Sequence, residues 1–439
     1  LITVDALRRD CVALYSGKSG SPASFGPLAR DGVRFTGAYS PSPWTYPSMT
    51  SMLTGLTPAV AGTVSSDVSL PEAVDTLAER LSKAGIVCGA FVNNPFLATA
   101  FGLGQGFGTY DHFPKPPCAD ARIFGGAVAR RTILRDVAPQ GDAAMLTDRA
   151  LRWIAAHRGV SFFLWIHYFD PHTPYCPPPE SLEPSPLVER WGPCFTNKID
   201  VLHNRWGTQP DEQAWIRLLY EAEVRYADAQ VCRLLKGLQE MGLYDDALII
   251  GTTDHGEELW DHGGFEHGHT LYNELIRLPL IVKRENEPRP GAVIEQAVLT
   301  AGATPTILDH FSVSHDPGAL SVPGWSALLA GAPDDSATQR LPSGYPHSGP
   351  ECAAVIAGDW KYIAFPGTGE ELLFALEADP YERISLTDER PEVLGEMRRA
   401  LADLQAGEAA MRQSLGFVRP EEADIPPAVR EELEALGYL

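Results

Sequence analysis

The 439-residue chain is short of positive charge: 35 Lys and Arg face 57 Asp and Glu, a formal net charge of −22. Binding to nucleic acid or to an anionic membrane draws on a basic face that releases counterions, so this balance argues against both. It does not exclude an anionic substrate, because one bound cation reverses the field inside a single pocket. Cysteine is also sparse. The seven residues (Cys11, Cys88, Cys118, Cys176, Cys194, Cys232 and Cys352) are scattered, with no CxxC or other zinc spacing. That pattern supports neither a disulfide framework nor a cysteine metal centre, and leaves open one bridge, Cys176 to Cys194, in a Pro-rich loop. No apolar run reaches the ~18–20 residues that span a bilayer, so no integral membrane segment is expected. Internal repeats and low-complexity tracts are missing too. The chain opens on Leu1 inside what reads as a strand, LITV, which suggests trimming upstream. The expectation is a soluble domain, cytoplasmic or exported, with no oligomeric state assigned.

What is present is ordinary for a globular protein, at 44% hydrophobic and 21% charged residues, and long enough for one large domain and an appendage. Apolar runs alternate with amphipathic stretches, the mark of a largely parallel sheet covered by helices. LITV (1–4), IVCGAFV (86–92), VSFFLWIHY (160–168), ALIIGTT (247–253) and RLPLIV (277–282) read as strands. PEAVDTLAERLSKAG (71–85), LTDRALRWIAAH (146–157) and the stretch from Asp211 to Met241 read as helices. A Gly-, Pro- and Ser-rich stretch around 315–350 suggests a boundary. Beyond it, 352–365 and 370–378 look like hairpin strands and 391–407 like a closing helix. The expected fold is α/β: a mostly parallel central sheet flanked by helices over 1–320, and a smaller C-terminal α+β subdomain, a small sheet plus helix, over 321–439.

Four segments could carry chemistry. Asp5 and Asp254 each follow an apolar strand, and ligands of open α/β sheets gather outside the carboxyl ends of strands. With His255 beside Asp254, they form a mixed oxygen and imidazole set suited to Mg, Ca, Mn or Zn. Either aspartate alone is equally a turn or helix cap. In SPWTYPSMTSMLTG (42–55), Pro47 and Ser48 open a helix that runs to Leu53 and stops at Gly55. Thr45 would then stand just ahead of a helix N-terminus, where the dipole and free N–H groups favour an alkoxide or a bound phosphate or sulfate. A plain N-cap role for Thr45 or Ser48 stays open. The loop DHGEELWDHGGFEHGH (254–269) holds four His in sixteen residues, dense enough to suggest a metal or oxyanion site. In HYFDPHTPY (167–175), Asp170 and His172 follow a strand, as turn residues or with His172 as a general acid.

Taken in order, ITVDALRRD, TYPSMTSMLTG (45–55), YEAEVRYADAQVCRLL (220–235), TTDHGEE (252–258), HGHTLYNELIRLPLIV (267–282), DWKYIAF and LFALEADPYERISL resemble the signature blocks of sulfatase-like hydrolases of the alkaline phosphatase superfamily. The resemblance spans nearly the whole chain. It implies a metal-dependent ester hydrolase acting on a small anionic ester. Asp5, Asp254 and His255 match metal-ligand positions for one divalent ion. Thr45, also beside that ion, matches the nucleophile, a position held in true sulfatases by a cysteine converted to formylglycine. Threonine cannot be so converted. It resembles instead relatives acting on phosphodiesters, phosphonates or phosphoglycerol groups, so a phosphodiester or phosphonate is favoured over a sulfate ester. His172 matches the histidine serving the leaving group, and His267 a residue contacting the non-bridging oxygens. A second ion would recruit Asp170, His172, His262 or His269.

Two positions depart from the family pattern. Met49 replaces an arginine four residues after the nucleophile, removing a charge-assisted anion contact. Ala61 stands where many relatives carry a histidine, which leaves Ser66 as a weak polar candidate near 61–67. These losses motivate a rival expectation, a non-catalytic sulfatase-like scaffold that binds anionic ligands. Loops 112–145 and 174–210 would set specificity.

Overall fold

The computed structural model describes residues 1–17, 20–113, 143–196, 198–332, 340–417 and 420–439. Cys118, most of the 112–145 loop and part of the 315–350 stretch lie outside the described residues.

Eight strands build the central sheet: β1 (Ile2–Val4), β2 (Val33–Tyr39), β3 (Val87–Val92), β4 (Thr109–His112), β5 (Phe162–Tyr168), β6 (Ile249–Thr252), β7 (Arg277–Lys283) and β8 (Val293–Leu299). They lie in the order β8-β2-β7-β6-β1-β5-β3-β4. Every neighbouring pair is parallel except those involving β7, which runs antiparallel to β2 and β6. The mostly parallel sheet expected from the alternation of patterns is therefore present. Its central strands read as continuous apolar runs because both faces are covered. One face packs Phe163, Trp165, Ile250 and Leu280 against the helix Thr45–Thr54. The other packs Ile2, Val4, Ile166 and Ile249 with the helices Ala143–Ala156 and Pro210–Glu240.

Some helix bounds differ from expectation, each for a local reason. The helix expected over 71–85 spans only Leu77–Lys83. Thr76 Oγ1 accepts from the Glu79 N–H at 3.1 Å while Glu79 Oε2 accepts from the Thr76 N–H at 2.8 Å. This capping box starts the helix at Leu77, while Pro71 to Val74 closes a separate turn. The helix expected from Pro47 begins two residues earlier, at Thr45, with Trp44 as N-cap and Gly55 as a left-handed C-cap. Thr45 is therefore inside the first turn, not ahead of it. All ten of its residues are buried, as a helix wedged into the core requires.

A second, antiparallel sheet joins Arg340–Gly344, Ala353–Ala357, Trp360–Phe365 and Glu370–Ala375 in that order. The helix Pro391–Ser414 covers it through Leu394, Met397 and Leu401. The chain then returns to the large layer: Glu422 bridges to Val68, and Leu433 of the helix Pro427–Ala435 is buried in the main core. Cys176 and Cys194 form no disulfide, so the bridge left open by the sequence is not made. Tyr175 and Phe195 pair their backbones there, and the Cys176 N–H turns to Glu223 Oε1 at 2.6 Å. Among the described residues no helix is long and apolar enough to cross a membrane.

Candidate active site

Parallel strands deliver their carboxyl ends to one edge of the sheet, and the site forms there. Register pairs Thr3 of β1 with His167 of β5 and with Thr252 of β6. Asp5, just past β1, and Asp254, just past β6, are thereby brought together, with Asn94 arriving after β3. Ser48 Oγ donates to the Asp254 carbonyl at 2.6 Å, which ties the Thr45 helix to the Asp254 loop. Ser48 is a strut and not an N-cap.

Asp5, Asp254 and His255 are all buried, and one ligand atom from each lies within 4.8 Å of the others. Asp5 Oδ2 accepts from Asn94 Nδ2 at 2.6 Å and faces His167 Nε2 at 3.1 Å. Asp254 Oδ1 accepts from the His255 N–H at 2.9 Å and the Ala6 N–H at 3.3 Å. The other oxygens, Asp5 Oδ1 and Asp254 Oδ2, are buried without a hydrogen-bond partner. Burial, then the neighbouring Asp254 charge, pushes the Asp5 carboxyl above its usual range. His255 Nδ1 lies 2.8 Å from the Gly256 carbonyl, which only accepts, so Nδ1 carries the proton. Nε2 then lies 3.6 and 3.5 Å from Asp5 Oδ1 and Asp254 Oδ2. Two orphaned carboxylate oxygens and an imidazole lone pair facing one another repel unless a cation lies between them. The donor set fits a divalent ion.

Thr45 stands at the rim of this set. Its Oγ1 is 3.2 Å from His255 Nε2 and accepts from Asn94 Nδ2 at 3.2 Å. Asn94 Oδ1 accepts from the Phe96 N–H at 2.8 Å, which fixes the amide so that its NH₂ points at both Asp5 and Thr45. The N-cap residue Trp44 makes no side-chain hydrogen bond to the first turn of the Thr45 helix, whose N-terminus favours negative charge.

His172 and His267 meet on the far side, their rings 4.8 Å apart, and the His267 ring lies 4.2 Å from that of His255. His267 Nδ1 pairs with Glu257 Oε1 at 2.9 Å. Burial, then the nearby His255 and His172, pulls His267 well below its ordinary value, and burial followed by Glu266 pushes Glu257 well above its own. Glu266 takes hydrogen bonds from Lys198 Nζ and Thr173 Oγ1, both at 2.7 Å. The Nε2 atoms of His172 and His267 both lie 2.7 Å from the Tyr438 hydroxyl.

The other sequence candidates fall elsewhere. Asp170 Oδ2 accepts from the Ala143 N–H at 3.2 Å, at the start of a helix. His262 pairs with Glu274 and stacks on Tyr272 at 3.6 Å, and His269 pairs with Glu258 at 2.7 Å. Asp170, His262 and His269 therefore do not join His172 in one second-ion cluster. His172 groups instead with Glu266 and His267, and His262 with Glu258 and Glu274. Met49 and Ala61 are buried in the main hydrophobic core, so a charged residue at either would have to enter apolar packing. Ser66 lies in a half-buried turn with no hydrogen bond to these groups.

Sequence reasoning missed Asn94, His167, Glu257, Lys198 and Tyr438. Asn94 and His167 carried a usable signal, since both stand at the carboxyl ends of strands already recognised. Tyr438 carried none, because only the return of the last helix brings it here.

Comparison with known proteins agrees with this architecture. A family model described as Sulfatase matches residues 1–313. A multifunctional alkaline phosphatase superfamily protein, PehA of Trinickia caryophylli, is 28% identical over 55% of this chain and 54% of its own length. The chain thus spans about half of that relative. An arylsulfatase of Clostridium perfringens is 24% identical over 91% of this chain and 92% of its own. The phosphonate monoester hydrolase of Agrobacterium radiobacter shares the fold, with a TM-score of 0.71 at 20% identity over 93% of this chain and 95% of its own.

Proposed function

Since the chain belongs to the sulfatase family of hydrolases, we propose that it is a metal-dependent ester hydrolase in which Thr45 is the nucleophile and a phosphodiester or phosphonate is preferred to a sulfate ester. One observation carries the reading: Thr45 Oγ1 sits 3.2 Å from both His255 Nε2 and Asn94 Nδ2, beside two buried carboxylate oxygens that have no protein partner. A divalent ion held by Asp5, Asp254 and His255, whether Ca, Mg, Mn or Zn, would supply Lewis acidity and lower the pKa of the Thr45 hydroxyl.

The chain's own groups do the rest. Thr45 reacts as its alkoxide, with the Asn94 amide donating to the oxygen and the helix N-terminus favouring its negative charge. Its oxygen bonds to phosphorus as the bond to the leaving oxygen breaks, giving a phosphothreonine. His172 gives that leaving oxygen a proton, and His267, oriented by Glu257, contacts the non-bridging oxygens. Water, giving a proton back to His172, then bonds to phosphorus as the Thr45 oxygen–phosphorus bond breaks, which releases the product and restores the Thr45 alkoxide. His167 and Asn94 hold Asp5 in place.

The phosphorus preference draws support from three features. Thr45 has no route to formylglycine. PehA, the relative at 28% identity, is named as multifunctional. Among the described residues fixed cations at the site are few: Met49 is buried in the core, and Lys198 is already paired with Glu266, which suits a monoanionic diester. A panel of a bis-aryl phosphate, an aryl phosphonate and an aryl sulfate, each with Ca, Mg, Mn and Zn, tests the reading. Turnover of the phosphorus esters above the sulfate is expected. Dominant sulfate turnover would overturn the preference, and no turnover with any ion would overturn the enzyme.

A further inference from the structure

Each of the two histidines on the leaving-group side has both ring nitrogens engaged. His172 Nδ1 lies 2.6 Å from the Thr173 carbonyl, and His267 Nδ1 lies 2.9 Å from Glu257 Oε1. That leaves Nε2 on each ring to address a substrate. Both Nε2 atoms are already 2.7 Å from one phenolic oxygen, that of Tyr438. An imidazole nitrogen directs a single hydrogen bond in its ring plane. A substrate oxygen bound to these nitrogens and the Tyr438 hydroxyl therefore claim the same place.

The tyrosine is delivered there by design of the local chain. The helix Pro427–Ala435 anchors on fully buried Leu433. Gly437 then adopts φ +74°, the Gly437 N–H bonds the Glu434 carbonyl, and the Tyr438 N–H bonds the Leu433 carbonyl at 2.9 Å. This is a Schellman turn, which needs the left-handed residue that glycine supplies. Beyond the turn the ring packs edge-on to Phe96 at 4.9 Å and His347 at 5.1 Å, with Lys198 Nζ 4.6 Å from its centre. Phe96 is the residue whose N–H orients Asn94. Trp44, next to Thr45, packs on both Phe96 and His347 at 5.2 and 5.0 Å. The phenol is thus keyed to the segments carrying the nucleophile and its amide donor, on a residue that is half-buried.

We propose that Tyr438 is a specificity-determining residue of this site, an internal competitor whose hydroxyl holds the two imidazole nitrogens until an oxyanion displaces it. The proposal rests on the roles given to His172 and His267 under the proposed function. Displacement selects for charge: His172 carries a proton on Nε2 to serve the leaving oxygen, and that N–H bonds an anionic phosphoryl oxygen more strongly than a neutral phenol. A charged ester wins the exchange and a neutral carboxylic ester does not.

The test compares the full chain with Tyr438→Phe, which keeps the ring packing and removes the hydroxyl, and with Tyr438→Ala, which removes both. Inorganic phosphate is titrated calorimetrically into each protein with added Mn and again without it, and turnover of an aryl phosphodiester and an aryl acetate is measured alongside. The Phe variant should bind phosphate about five- to thirtyfold more tightly, the range set by losing one or two neutral hydrogen bonds from the free state. KM for the diester should fall with kcat within about twofold, and discrimination against the acetate should narrow. The Ala variant should bind phosphate at least as tightly as wild type. Unchanged or weaker phosphate binding in both variants, or a fall in kcat at constant KM, overturns the competitor and makes the phenol a working part of the catalytic set. Phosphate binding needs no turnover, so the two readings fail separately. Tighter binding in a protein that hydrolyses nothing would sink the hydrolase and keep the competitor, and hydrolysis with unaltered binding would do the reverse.

Discussion

Replacing Asp254 by Asn separates a cation site from an ordinary buried acid pair, because the expected effects have opposite signs with and without metal. The ligand oxygens of Asp5 and Asp254 lie within 4.8 Å of each other, and at an effective dielectric near 20 two full charges at that separation repel by about 3 kcal/mol. Burial and then the Asp254 charge hold the Asp5 carboxyl above its usual range, so up to about 3 kcal/mol is there to be relieved. In metal-free buffer Asp254→Asn should therefore melt higher than wild type by up to about 3 °C, at roughly 1 °C for each kcal/mol in a chain of this size. Adding a divalent ion at a hundredfold excess over its Kd should stabilise wild type by about 2.7 kcal/mol. The variant, which offers a neutral amide in place of a carboxylate, should show little of that gain. Differential scanning calorimetry after chelation, and again with Ca, Mg, Mn or Zn, reads all four values. A variant that melts lower than wild type without metal, together with a wild type indifferent to every ion, would mean that the two carboxylates are an ordinary buried acid pair and hold no cation.

Other substitutions probe the remaining roles. Thr45→Ala should lose at least about a thousandfold in kcat for diester hydrolysis while still binding phosphate, since a nucleophile is removed and the anion contacts stay. Asn94→Ala should lower kcat by about ten- to a hundredfold, because it takes one donor from the Thr45 oxygen and one from Asp5; steady-state kinetics at saturating metal checks it. In the smaller layer, Lys361 and Glu382 form a buried ion pair at 2.7 Å. Lys361→Met should cost about 3–5 kcal/mol in urea denaturation by stranding the carboxylate. Burial already holds Glu382 above the usual range, so the cost should shrink below that raised value, where the carboxyl is neutral, and grow as pH rises through it.

How far the sequence could be read depended on whether a feature was local or made by long-range return of the chain. The strands ending at Asp5, near His172 and at Asp254 were legible because parallel strands buried on both faces leave continuous apolar runs. β2, β4 and β8 were not, since VRFTGAY, TYDH and VIEQAVL mix polar and apolar residues at the edges of the pattern. Gathering of Asp5, Thr45, Asp254 and His255 followed from strand ends sharing one edge of the sheet, a rule that needs no side-chain detail. Glu257 was visible in the TTDHGEE block but unassigned, and only its contact with His267 gives it a task. Asp170, His262 and His269 looked like ligands by type and density. Their partners, a helix start for Asp170, Glu274 for His262 and Glu258 for His269, come from other segments. Tyr438 lay beyond any periodicity argument, because a Gly437 turn and a helix docked on a distant core decide where it points.

Acid-quenched turnover followed by peptide mass spectrometry tests most directly whether Thr45 is the nucleophile. With a diester substrate and the activating ion, a phosphoryl adduct should map to the peptide containing Thr45 and vanish in Thr45→Ala. An adduct on another residue, or undiminished hydrolysis by Thr45→Ala, would contradict the account.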